Sequence, residues 1–206
     1  MLRRDLLAGG LAALAAAAPA VAKPPAVALA AEDQALVDRA AAYLDGLGEA
    51  RGRFVQTDSR GGSSQGELYL NRPGKARFEY GSPPRLLVVA DGHSVAIHDL
   101  RLNTFSRYAL SSTPLNLFLQ KPVRLDRVGV TAVERTARGF AITARGGVRG
   151  MRGQITLSFD DRPLALSQWS IVDAQGARTT VRIVGLETAH GLDPSLFELK
   201  DPTGIG

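Results

Sequence analysis

From Gly52 to Leu110 the chain alternates apolar and polar residues and breaks every few positions at turn-forming residues, a pattern that suits antiparallel strands and defeats a helix. The strand segments are RFVQTD, GELYLN, ARFEY, RLLVVA, SVAIHD and TFSRYAL, and the connections are SRGGSSQG, Pro73-Gly74, GSPP and Asp91-Gly92. The same style returns in GFAITAR, GQITLSFD, LALSQWSIVD and RTTVRIVGLE, the last two joined by AQGA. So many β segments in succession predict a meander: a long curved sheet wrapped round its own apolar face.

Two segments break the period and read as helices. EDQALVDRAAAYLDGLGEARG carries Leu36, Ala40, Tyr43, Leu44 and Leu47 at helical spacing, with Asp33 available as a cap. SSTPLNLFLQ offers Thr113 as a cap and Pro114 at the first helical position, then Leu115, Leu117, Phe118 and Leu119 with little polar relief. A short apolar helix between strands is either a core plug or a lid over a cavity. The fold class is therefore mainly β with helices.

In LYLNRPGKARFEY, Pro73 presets φ near −65° and Gly74 accepts a positive φ, which suits a type II turn between two strands. Leu68, Leu70 and Arg72 then share one face of the incoming strand, and Ala76, Phe78 and Tyr80 share one face of the outgoing strand. Arg72 ends an apolar row. Pattern alone allows it to be an edge arginine whose stem covers the sheet while its head stays in water.

The first residues read as an export signal: Arg3 and Arg4, an Ala- and Gly-rich run, and Ala20-Val21-Ala22 as a cleavage site. The arginine pair looks like a twin-arginine signal, although the general secretory route stays open. Residues 23–32 read as a flexible lead-in and 33–206 as one domain. Loss of residues 1–22, which hold two arginines and one aspartate, lowers the formal charge from +5 to +4. With no basic run or aromatic-interleaved basic stripe, nucleic acid is not an expected partner. The chain has no cysteine, which excludes disulfides, thiol chemistry and the acylated cysteine of a lipoprotein anchor. A soluble, monomeric protein is expected.

Catalytic signals are weak. His93, His98 and His190 lack metal-ligand spacing, and His98-Asp99 are neighbours on a strand, so their side chains point to opposite faces. Asp160 and Asp161 precede Arg162-Pro163 and read as solvated turn acids, and Trp169 reads as packing. Neither an enzyme nor a cofactor or metal is expected.

The ordered set RFVQTD, GELYLNRPGKARFEY, PPRLLVVADGHSVAIHD, STPLNLFL, LALSQWSIVDAQGARTTVRI and LDPSLFELKDPTGI resembles the LolA family of periplasmic carriers of outer-membrane lipoproteins. The resemblance implies an unclosed antiparallel β-barrel, a curved half-barrel covered by a helical lid, with an apolar cavity that takes the acyl chains of lipoproteins. Shared strand parity puts Leu68, Leu70, Phe78, Tyr80, Val95 and Ile97 on that cavity, with Leu115 and Phe118 on the lid. By the same resemblance Arg72 is the latch that holds the empty carrier closed. The implied partners are acylated lipoproteins, an ATP-driven inner-membrane transporter that releases them, and an outer-membrane acceptor. The sequence departs from the best-known members in having Ala76 where a bulkier apolar residue can stand. A lipid sensor or scaffold of the same fold is the alternative, and an envelope hydrolase a weaker one.

Overall fold

The computed structural model describes residues 29–81, 85–125, 129–145, 153–173 and 175–202. The export signal and most of the lead-in lie outside them. Residues 29–32 of the stretch read as lead-in belong to the fold. Leu29 already packs against the core, and the first helix, α1, starts at Ala31 and runs to Gly46.

Asp33 does not cap α1. Ala30 holds the N-cap position without a side-chain hydrogen bond, while Asp33 stands in the first turn and its carboxylate accepts from Arg135 at 2.9 Å. There it complements the positive end of the helix. Val37, Ala40 and Leu44 are the buried stripe, and Leu36, Tyr43 and Leu47 flank it.

Eleven strands follow. They are β1 (Glu49–Thr57), β2 (Ser63–Asn71), β3 (Lys75–Tyr80), β4 (Leu86–Asp91), β5 (Ser94–Asp99), β6 (Thr104–Ala109), β7 (Gly129–Arg135), β8 (Gly139–Arg145), β9 (Gln154–Asp161), β10 (Leu164–Val172) and β11 (Arg178–Thr188). Their order in one sheet is β6-β5-β4-β3-β2-β1-β11-β10-β9-β8-β7. The sheet is antiparallel throughout and unclosed, with β6 and β7 as its edges. Its centre is the pairing of β1 with β11, which joins the two ends of the chain.

Two strand assignments differ from the sequence pattern, and in β7 a bulge accounts for the difference. In β7 the register shifts between Val130 and Ala132, so Val130 and Val133 both reach the core although three residues apart. The alternation that marks a strand is lost there. β1 begins at Glu49, inside the stretch that read as the end of the first helix. Its register against β11 shifts between Arg51 and Arg53, where a side chain at Gly52 would come within 2.9 Å of the Gly185 carbonyl oxygen.

The connection from β6 to β7 opens with a 3-10 turn at Leu110–Ser112 and a single-turn helix, α2 (Asn116–Leu119). Thr113 does not cap this helix. Its hydroxyl donates back to the Leu110 carbonyl at 2.9 Å, and the helical turn starts after Leu115. Leu117, Phe118 and Leu119 are buried on the inner face of the sheet, in one cluster with α1 and residues of nearly every strand. The opposite face has its own cover over β3 and β4. Arg77 donates to the Leu196 carbonyl at 2.9 Å in the C-terminal 3-10 turn Pro194–Phe197, and Phe197 is buried beside that ladder with Val89 and Ala96.

Candidate functional site

Strand register arranges the predicted apolar residues in cross-strand rows. Leu68, Phe78, Val88 and Ile97 stand opposite one another on β2 to β5, and Leu70, Ala76, Ala90 and Val95 form the next row. Directly opposed residues of antiparallel strands project to the same side, so both rows belong to the inner face. Leu68, Leu70, Phe78, Val95 and Phe118 are buried in the main cluster, with Tyr80, Ile97 and Leu115 packed against it. Ala76 is fully buried in its row.

An aromatic chain threads these rows. Tyr80 meets Phe54 with ring centres 4.8 Å apart, Phe54 meets Phe78 at 5.5 Å, Phe78 meets Trp169 at 6.0 Å, and Trp169 meets Phe118 of α2 at 5.2 Å. Phe54 and Trp169 are members of this site that the sequence reading did not place in it. The signal for Trp169 is its register, opposite Leu157 on one side and Val181 on the other, both buried. Tyr80 and Phe54 also border a cleft of about 520 Å³ together with Gly66, Gly81 and Val184.

At the other end of the rows stands Arg72. Its head is not in water: the side chain is 1% exposed. Nη1 donates to the Leu47 carbonyl at 3.2 Å and Nη2 to the Gln120 carbonyl at 2.7 Å. Leu47 and Gln120 are the C-cap residues of α1 and α2, so one guanidinium satisfies a terminal carbonyl of each helix. The fork geometry of arginine makes this double engagement possible. Burial pulls the Arg72 pKa down, and Asp45, with a carboxylate oxygen 4.0 Å away, opposes that shift.

The backbone completes the junction. Gly74 N–H donates to the Leu119 carbonyl at 2.8 Å, and Val123 N–H donates to Asp45 Oδ1 at 2.8 Å. The turn beneath Arg72 is a three-residue loop between the paired Asn71 and Lys75, with a cis Arg72–Pro73 bond. Gly74 does take the positive φ, +83°, and a side chain there would come within 2.8 Å of the Gly92 Cα.

The candidate carboxylates have structural partners. Asp99 Oδ1 accepts from the N–H groups of Arg101 and Leu102, which makes it a turn former and separates it from His98. Asp160 and Asp161 are paired across β9 and β10 rather than lying in a turn, and they form ion pairs with Arg138 at 3.3 Å and Arg39 at 2.6 Å.

An open antiparallel sheet whose apolar inner face is roofed by two helices, with a buried arginine bonded to both at one end, defines an unclosed half-barrel. Residues 46–200 match the family described as "Outer membrane lipoprotein carrier protein LolA", and the chain belongs to that family. It is 30% identical to an outer-membrane lipoprotein carrier protein of Xanthomonas oryzae pv. oryzae, over 79% of this chain and 83% of the relative. It is 28% identical to a protein of the same name from Methylococcus capsulatus, over 81% and 84%. Among solved structures, an uncharacterized conserved protein from Thermus thermophilus shares the fold with a TM-score of 0.51 at 13% identity, covering 83% of this chain and 96% of that one.

Proposed function

We propose that this protein is a periplasmic carrier that shields the acyl chains of lipoproteins on its inner face and moves them from the inner to the outer membrane, with Arg72 as the latch of its lid. The observation that carries this reading is the position of Arg72, buried at the end of the apolar rows and bonded to the C-caps of both roofing helices. Acyl chains gain about 0.8 kcal/mol per buried CH₂, so several chains cannot cross water without an apolar shelter. The shelter must also let go. Here Leu68, Leu70, Phe78, Val95 and Phe118 pack against one another when the lid is closed, so cargo competes with the lid for the same apolar surface. The chain has no nucleotide-binding motif, so directionality comes from an ATP-driven transporter at loading and an acceptor at delivery.

The latch therefore acts on release. Arg72→Leu removes both carbonyl bonds, shifts the lid toward open and weakens the competition that expels cargo. The variant is expected to accept lipoprotein from inner-membrane vesicles at least as readily as the wild type, and to pass it to outer-membrane acceptor several-fold more slowly. Loading and transfer are measured as separate steps. Transfer at the wild-type rate would refute the latch, and failure to load would place Arg72 in capture instead.

A further inference from the structure

Among the described residues the exposed large apolar side chains are Leu100 (43%), Leu102 (55%) and Tyr108 (52%), and all three lie on the β5–β6 hairpin. Singly scattered apolar residues on a surface need no explanation, but these share the hairpin at one free edge of the sheet. The tip is firmly built. Asp99 Oδ1 accepts from Arg101 N–H at 2.9 Å and Leu102 N–H at 2.8 Å, Leu100 N–H donates to the Arg85 carbonyl at 2.9 Å, and Asn103 closes the turn at φ 51°. Two leucines are thus held out to solvent on either side of Arg101.

The charge around them is one-sided. From Leu100 to Leu110, the turn and the whole of β6, the sequence has no aspartate or glutamate and has Arg101 and Arg107. Arg107 is engaged with Asp91, Ser94 and the Leu199 carbonyl, whereas Arg85 and Arg101 are exposed and have no acidic partner among the described residues. The one carboxylate at the tip, Asp99, is occupied by backbone amides.

We propose that the Leu100–Leu102 tip of the β5–β6 hairpin docks on an anionic lipid surface, with the leucines entering the acyl boundary and Arg85 and Arg101 meeting headgroup phosphates. Apolar side chains flanked by arginines on a projecting turn suit a deformable interface, and the positive charge selects an anionic one. Register places the tip at the end of the sheet opposite Arg72: Leu86 pairs with Asp99 there, while Lys75 pairs with Asp91 at the latch end. Tyr80 and its cleft lie toward the tip end. Docking would therefore leave the latch untouched and bring lipid beside that end of the apolar rows.

The test uses vesicles and no lipoprotein, so its outcome is independent of the carrier reading. In flotation assays the wild type is expected to rise with phosphatidylcholine vesicles that contain phosphatidylglycerol and to stay down with phosphatidylcholine alone. The double variant Leu100→Ser/Leu102→Ser should bind at least about tenfold more weakly, with its Trp169 near-UV dichroism intact. Arg101→Gln should flatten the salt dependence of binding. A wild type that fails to float with the anionic vesicles overturns the proposal. So does a folded double variant that floats as well as the wild type, or tighter binding to polyglutamate than to vesicles, which would assign the surface to an acidic protein.

Discussion

Tyr80 shows how a single side chain ties the site to a measurable property of the whole protein. Its hydroxyl donates to Gln56 Oε1 at 2.8 Å, and burial pushes its pKa up to about 12. The unfolded chain releases this proton near pH 10 and the folded one holds it, so the contribution is complete below pH 10 and is lost as pH rises through about 12. Urea-unfolding midpoints are expected to fall across that window, with Tyr80 accounting for no more than about 3 kcal/mol. Tyr80→Phe should flatten the decline without abolishing it, because burial also raises Tyr43. An unchanged slope in that variant would assign the alkaline limb to other groups. At the same scale, the sequence places Arg72 at the end of its row by parity alone, but not its partners. Leu47 and Gln120 lie 25 and 48 residues away, and no local pattern specifies that their carbonyls converge.

At the scale of elements, α2 is the part that moves in the proposed carrier cycle. It is a single helical turn, too short to stand by itself, and its place depends on Leu117, Phe118 and Leu119 being buried and on the junction at Arg72 and Gly74. Because Phe118 packs on Trp169, the only tryptophan in the chain, intrinsic fluorescence reports directly on this contact. Acylated lipoprotein is expected to change Trp169 emission on binding, and Phe118→Ala should change the cargo-free spectrum and shrink the cargo response. If emission stays constant while cargo binds, the lid does not leave Trp169. The helix itself was legible as an apolar run behind a proline, but its caps were not. Thr113 and Asp33 are good N-cap residues by type, yet a backbone carbonyl claims the first and Arg135 the second. Strand β7 was illegible for a related reason, since a bulge needs a partner strand to exist and has no period of its own.

At the scale of the molecule, the sheet is two meanders joined by the β1–β11 pair. Within each meander neighbouring strands are close in sequence, while the joining pair links Ala50 to Thr188 and Thr57 to Thr180. Hydrogen exchange is expected to be slowest in β1, β2, β10 and β11, which are paired on both sides, and faster in β6 and β7, each of which has one free edge. Protection in β6 equal to that in β1 would show that this edge is covered in solution.

The sequence by itself determined what depends on near neighbours: an antiparallel β protein with one amphipathic helix, the parity that collects Leu68, Leu70, Phe78 and Tyr80 on one face, and the ordered motifs that mark its family. These follow from a two-residue period and turn chemistry, which act over a few positions. Tertiary structure alone decided the pairing of the first strand with the last, the meeting of Trp169 with Phe118, and the capture of two helix ends by Arg72. Each of these is a contact between segments far apart in the chain, made because burial leaves backbone carbonyls and apolar rings no water to face, and only the assembled sheet and lid supply their partners.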